Sequence, residues 1–343
     1  AAALGALHHL SAGVRRTALQ VLPRNAESGR TIRAGASLRD PDAQVRLAAF
    51  LALAELPPDD ATGQAIADSL VKEPLNASDR WIRDAVASAG ARHAEGFVAG
   101  VLASAKDPAD KGSEVVRIVA RHYARMTPAT IAGTLQKAGG APAGIARAFV
   151  DGIAAGWPEN TKPTLSASDE SALAQLIQRF PDDTRSALIA LADRWGRKAM
   201  FASEVTALSG RLRQQVSNAS VAPETRLDAA RRLVSLDDNA SNIAAVLGQI
   251  TPLVPPNVSG SLLNAVASSR LPATAGMVLD SWSQFTPAAR RIALGILLRR
   301  TEWAATVLAA VESSKLQKTD LGQDLWNQLR NHSDGEISRR AQA

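Results

Sequence analysis

The residues in this chain that could carry chemistry are few. They are five histidines, the acid pairs Asp59-Asp60, Asp182-Asp183 and Asp237-Asp238, and one Ser69-x-x-Lys72 match. None has the company its chemistry needs. His8, His9, His93, His122 and His332 show no helical metal-ligand spacing with a carboxylate, so the sequence offers no zinc site. The acid pairs follow Pro or fall between helices, where capping and turn formation account for them. Ser69 and Lys72 lack the Ser-Asp-Asn and Lys-Thr-Gly partners of serine acyl-transferases. The Gly139-Gly140-Ala141-Pro142-Ala143-Gly144 run follows a helix rather than a strand, so it reads as a turn and not a phosphate cradle. With no cysteine, thiolate metal sites, disulfides and covalent c-type haem attachment are excluded from these residues. The expectation is therefore no catalytic, cofactor-binding or metal-binding residue, and no enzyme activity in this segment itself.

Six tryptophans remain as candidate contacts, at 81, 157, 195, 282, 303 and 326. Most sit on apolar faces and read as packing between helices. Trp157, in a Gly-Trp-Pro turn, is the expected exposed contact and the candidate interaction residue, since tryptophan is enriched at interface hot spots.

The elements that must position these residues are helical. Apolar residues make up 46% of the 343 and aromatics only 4%. That mass is rich in Ala and Leu, which favour helix over strand. In DPDAQVRLAAFLALAEL (40–56), Asp40 is placed to cap and Pro41 to open a helix. Val45, Ala48, Ala49, Ala52 and Leu53 then share one face, and Pro57-Pro58 ends it. Related segments are GVRRTALQVLP (13–23), SDRWIRDAVASAG (78–90) and SEVVRIVARHYAR (113–125). Later ones are APETRLDAARRLVSL (222–236), PPNVSGSLLNAVASS (255–269), TPAARRIALGILLRR (286–300) and the closing HSDGEISRRAQ. Arg15, Arg46, Arg83 and Arg117 recur 31, 37 and 34 residues apart.

Self-similarity at that period is a solenoid signature, with each helix pair burying its apolar faces only against its neighbours. Tetratricopeptide and ankyrin signatures are absent, and the Asp-Pro…Val-Arg-x2-Ala arrangement is HEAT-like. The fold class expected is all-α, an armadillo-like HEAT α-solenoid built as a superhelical array of antiparallel helix pairs. The repeated acid and Arg are expected to form a hydrogen-bond ladder between successive turns.

Regular repeats cover 1–125. Divergent helical repeats cover 126–220, where Ser168-Asp169-Glu170 caps a helix with Leu173, Leu176, Ile177 and Phe180 on its core face. HEAT-like repeats return over 221–343, the whole forming one continuous array. The net charge of +6 comes with 31 Arg and only eight Lys. No dense basic block appears, which speaks against a nucleic-acid groove. No apolar run is long enough for a transmembrane segment. The Ala-Ala-Ala-Leu start, without Met, reads as a piece of a longer polypeptide.

The order of the segments resembles the helical region of the large dehydrogenase-like proteins of planctomycetes and verrucomicrobia. These join a sorbosone-dehydrogenase-like β-propeller, a HEAT-like array and a c-type cytochrome domain. AAALGALHHL resembles the Ala-rich, His-containing helix before the first Val-Arg-Arg repeat. DPDAQVRLAAFLALAEL followed by SDRWIRDAVASAG resembles the most recognisable consecutive pair, and HSDGEISRRAQA the helix ahead of the cytochrome. The resemblance implies a periplasmic scaffold and protein–protein interaction module within a sugar or alcohol dehydrogenase. Its partners would be the propeller and cytochrome modules or a separate subunit, and haem c would lie in the parent chain outside these residues. Two other readings stand beside it: a free-standing HEAT adaptor, and a HEAT-like nucleic-acid-binding protein or DNA glycosylase.

Overall fold

A computed structural model describes residues 2–109, 111–127 and 129–342. Among them are 22 α-helices, five short 3-10 turns and no strand. The chain is all-α, as its composition requires, and its packing divides it into two compact units, one ending at Phe201 and one beginning at Ala202.

The first unit runs through α1 (Ala2–Ala6), α2 (Ala12–Val21), α3 (Ala26–Ala34), α4 (Ala43–Ala54), α5 (Asp60–Lys72), α6 (Leu75–Ser78) and α7 (Arg80–Arg92). It continues with α8 (Ala94–Leu102), α9 (Gly112–Arg125), α10 (Ile131–Ala138), α11 (Ala143–Gly156), α12 (Ala167–Leu176) and α13 (Asp182–Arg194). Two rows emerge from its contacts. Helices α2, α4, α7, α9, α11 and α13 each pack on the next, and so do α3, α5, α8, α10 and α12. Stacking of like helix on like helix is the packing of a HEAT-like α-solenoid.

The second unit comprises α14 (Ala202–Ser217), α15 (Pro223–Leu236), α16 (Ala240–Leu247), α17 (Pro256–Val266), α18 (Thr274–Asp280), α19 (Pro287–Leu297), α20 (Thr301–Glu312), α21 (Gln323–Arg330) and α22 (Gly335–Gln342). Its rows are α15, α17, α19 and α14, α16, α18, α20, α22. Pro223, Pro256 and Pro287 open their helices, where the missing N–H leaves no bond unmade.

The expected face of α4 is buried, from Val45 at 1% exposure to Leu53 at 0%. Its cap differs from the expectation. Asp42, not Asp40, accepts from the N–H groups of Gln44 and Val45, and Pro41 stays in the loop. Asp40 is engaged elsewhere, by the guanidinium of Arg15. The cap expected at Ser168-Asp169-Glu170 lies earlier: Ser166 is the N-cap of α12 and forms a capping box with Asp169, Ser168 lies inside the helix, and Leu173, Leu176, Ile177 and Phe180 are all buried as expected.

Glycines set how closely the rows approach. A Cβ on Gly96 would run into the backbone of Asp60, and one on Gly63 into His93 and Phe97, so α5 and α8 meet backbone to backbone. Gly152 and Gly156 do the same between α11 and α9, with a Cβ on Gly152 falling 2.5 Å from the Arg117 carbonyl oxygen.

Candidate interaction surface

The recurring arginines divide into two groups by what they touch. Arg15 makes a bidentate pair with Asp40, both bonds 2.7 Å. Arg46, 3% exposed, donates to the Asp40 carbonyl at 2.7 Å and to Asn76 Oδ1 at 2.9 Å. Asn76 in turn donates to the Leu38 carbonyl. Arg83 donates to the Ala77 carbonyl and lies 3.9 Å from Glu114. Burial alone would raise the Asp40 pKa, but the bonds from Arg15 and the Asp42 N–H outweigh it and hold the carboxyl below its ordinary range.

Contacts of this kind recur along the chain between residues 25 to 40 apart in sequence. Arg92 donates to the Leu56 carbonyl, and Asp107 accepts from the N–H groups of Gly144 and Ile145. In the second unit Asp238 accepts from Ser269 and Arg270, and Arg300 donates to the Ser269 and Ala267 carbonyls. Side-chain bonds thus reach from one helix pair to the next, but of the recurring arginines only Arg15 is hydrogen-bonded to an acid, while Arg46 and Arg83 donate to an amide or to carbonyls.

Arg117 occupies the next place in that series and does something else. It is exposed, as are Arg121 and Arg125 one and two turns further along α9. Among the described residues none of the three forms an ion pair or side-chain hydrogen bond. Asp107, one of two acids in the loop before α9, is occupied at the start of α11, and the other, Asp110, lies outside the described residues. Asp151 on α11 feels the charge of Arg117, but the cation within pairing distance of it is Arg147. Beside these arginines α9 exposes Ile118 and His122, and the neighbouring α7 exposes Arg80 and Trp81. Trp81 is 67% exposed, with the Arg80 guanidinium 5.6 Å from its ring centre. Together α7 and α9 hold six arginines against two acids. Asp84 lies 4.0 Å from Arg80 and Glu114 3.9 Å from Arg83.

The exposed contact expected at Trp157 is not there. Trp157 is 3% exposed. Its ring meets Trp195 edge-on at 5.3 Å, and its Nε1 donates to the Thr161 carbonyl at 2.7 Å. The turn after α11 folds the indole back under α13, and Arg194 donates to the Trp157 and Ala154 carbonyls. Trp195, Trp282 and Trp303 are also buried. Trp81 is the tryptophan that faces solvent, and a signal for it is present in SDRWIRDAVASAG. The helical face defined by Ile82, Ala85, Val86 and Ala89 leaves position 81 outside.

Most of the remaining chemical candidates are tied into the fold. Ser69 Oγ donates to the Ile66 carbonyl, and Lys72 pairs with Asp68. Asp59 caps α5 through the Thr62 N–H. Asp182 and Asp183 open α13. His93, buried at 2% exposure, is a rung of the ladder. Its Nδ1 accepts from the Asp59 N–H and its Nε2 donates to the Leu53 carbonyl, each at 2.9 Å. No group of three His, Asp or Glu side chains that could hold a metal ion occurs among the described residues. None of their helices is long and apolar enough to cross a membrane.

A charged hollow lies in the second unit. It has a volume of about 570 Å³ and is walled by Trp326, Lys318, Arg330 and the Arg340–Glu312 pair. Arg330 and Arg340 sit in the last turns of α21 and α22, where cations complement helix dipoles. Stability therefore accounts for them. Arg125 has the same place in α9, but Arg117 and Arg121 precede the last turn, and the α7–α9 face is the candidate that remains. No protein-family model matches this chain, and neither does any curated protein sequence.

Proposed function

We propose that this chain is a non-catalytic HEAT-like scaffold and interaction module, a stiff helical segment within a larger periplasmic, haem-containing sugar or alcohol dehydrogenase. The observation that carries the scaffold reading is the set of side-chain bonds between successive helix pairs. Arg46, Asn76 and His93 are buried polar groups satisfied by the neighbouring repeat, and separating the repeats would leave them unpaired. Each such loss costs about 1–3 kcal/mol, so relative motion of neighbouring pairs is penalised at every rung. A spacer between redox modules needs that resistance, because it fixes the distance its partners work across.

The absence of cysteine makes the stiffness directly measurable. Spin labels on cysteines replacing Gln20 and Ala190, both exposed and both in the first unit, are expected to give one narrow distance distribution by double electron–electron resonance. A broad or bimodal distribution sinks the scaffold reading. The dehydrogenase context predicts a propeller sequence upstream and Cys-x-x-Cys-His downstream in the parent reading frame. A frame with neither turns the proposal into a free-standing adaptor. The surplus of arginines beside Trp81 gives the nucleic-acid reading its one specific observation, and that reading requires salt-sensitive DNA binding.

A further inference from the structure

Three unpaired arginines at positions i, i+4 and i+8 of one helix repel one another. Each like-charged neighbour costs a helix roughly 0.2–0.5 kcal/mol. Arg80 adds to this: it is the first residue of α7, where the helix dipole disfavours a cation. Other arginines also stand exposed without an ion pair, Arg16, Arg30 and Arg291 among them, but not three in a row along one helix of the described residues. Arg117, Arg121 and Arg125 form such a row, and α9 also exposes Ile118, 42% exposed, while Trp81 is exposed on the neighbouring α7.

We propose that the α7–α9 face docks an acidic helical segment of a partner protein. The inference rests on the interaction-module reading and names the partner's chemistry. Charge complementarity fixes the sign of the occupant. Spacing fixes its form, because residues four apart on a helix lie about 6 Å apart along its axis. An acidic helix with glutamates at i, i+4 and i+8 therefore presents carboxylates at the pitch of Arg117, Arg121 and Arg125, each open to a bidentate guanidinium pair. The apolar residues favour a protein over a nucleic acid. A base-stacking strip interleaves several aromatics with cations, whereas this face has one exposed tryptophan with an exposed aliphatic residue, the Arg-and-Trp mixture with apolar anchors found at protein interfaces. Trp81 and Ile118 would meet apolar side chains on the partner, and the arginines would form the rim.

The test is fluorescence anisotropy of the intact chain with a labelled helical peptide carrying Glu at four-residue spacing and two leucines on the adjoining face. Three competitors accompany it: a peptide of the same composition with the spacing scrambled, a neutral Gln version, and a single-stranded oligothymidylate of matched charge. The spaced acidic peptide is expected to bind most tightly, and the R117Q/R121Q double variant to weaken it by about tenfold or more. W81A is expected to weaken it further, whereas R16Q, on the exposed surface of α2, should leave it unchanged. All four substituted positions are exposed, and circular dichroism of each variant confirms the fold. Tighter binding of the oligothymidylate, equal binding of the scrambled peptide, or indifference to R117Q/R121Q overturns the proposal. None of these outcomes touches the spin-label distances, so the scaffold reading stands or falls separately.

Discussion

His93 ties α4 and α5 to the junction of α7 and α8. Its Nδ1 accepts the Asp59 N–H ahead of α5, and its Nε2 proton goes to Leu53 in α4, while its own backbone joins α7 to α8. The bonds require the neutral tautomer. Burial, the largest influence, pushes its pKa below the ordinary 6.5; the Leu53 carbonyl and Asp59 oppose this, and Arg92 and Arg33 add to it. An unfolded chain therefore takes up this proton at higher pH than the folded one. The stability contributed by neutral His93 is complete above about pH 6.5 and falls as pH drops toward the folded pKa, by at most about 1.4 kcal/mol per pH unit. Protonation also removes the acceptor for Asp59. We expect the wild-type melting temperature to drop between about pH 7.5 and 5.5 by more than that of H93Q, whose amide can accept from Asp59 and donate to Leu53 without titrating. Parallel losses in the two proteins would show that His93 is not the titrating group. The sequence places this histidine in no pattern, because its partners are backbone groups 34 and 40 residues away. The Arg15, Arg46 and Arg83 rungs are legible, since arginine beside an acidic turn recurs in register. Trp157 is not, for a related reason: its burial depends on Trp195, which no local spacing connects to it.

Helices with a strict apolar stripe can be read from the sequence almost to the residue. Those of α4, α7 and α9 follow the spacing of Val, Ile, Leu and Ala, and in α4 Val45, Ala48, Ala49, Ala52 and Leu53 are all buried as expected. Glycine inside a helix is not legible, because in sequence it reads as a break or a turn. Here Gly96, Gly152 and Gly156 instead mark backbone contacts. Gly139, which by sequence closes α10, does cap it, and a Cβ there would also strike the Leu176 side chain. The two uses of glycine predict opposite signs for one substitution. A methyl group on Gly133, in α10, would meet nothing within 4 Å, so G133A should stabilise by about 0.5–1 kcal/mol through helix propensity. G96A gains the same propensity but drives a methyl into the Asp60 backbone, and backbone cannot rotate aside as a side chain can. Overpacking of this kind costs about 1–3 kcal/mol, so the net change should be a loss. Urea denaturation of both variants decides it, and a G96A protein as stable as wild type would mean that α5 and α8 are not in backbone contact.

At the scale of the whole molecule, stability is a sum over neighbours. Composition and periodicity announce the stacking of helix pairs, but nothing in them marks Phe201–Ala202, where the compact units part within the 126–220 stretch of weakest rhythm. Interfaces between successive pairs are a matter of tertiary fit, and their strength is not written in any one segment. This has a consequence for truncation. In a quasi-one-dimensional array each pair is held by the pairs beside it, and opening proceeds in local units rather than all at once. Helix α11 lies between α9 and α13. Its C-terminal end is covered by the Trp157–Trp195 contact, worth about 0.5–1.5 kcal/mol beyond burial, and by the Arg194 bonds to Ala154 and Trp157. A chain ending at residue 201 keeps all of these. One ending at residue 162 removes α12, α13, Trp195 and Arg194 together, while α4 and α7 keep both neighbours in their row. Hydrogen exchange on the two truncated chains is therefore expected to differ in α11, whose amides should lose protection by about tenfold or more in the shorter one. Protection in α4 and α7 should match between them. Uniform loss from α4 through α11 would instead mean that the first unit folds as a single cooperative body, with no neighbour-by-neighbour stability to lose.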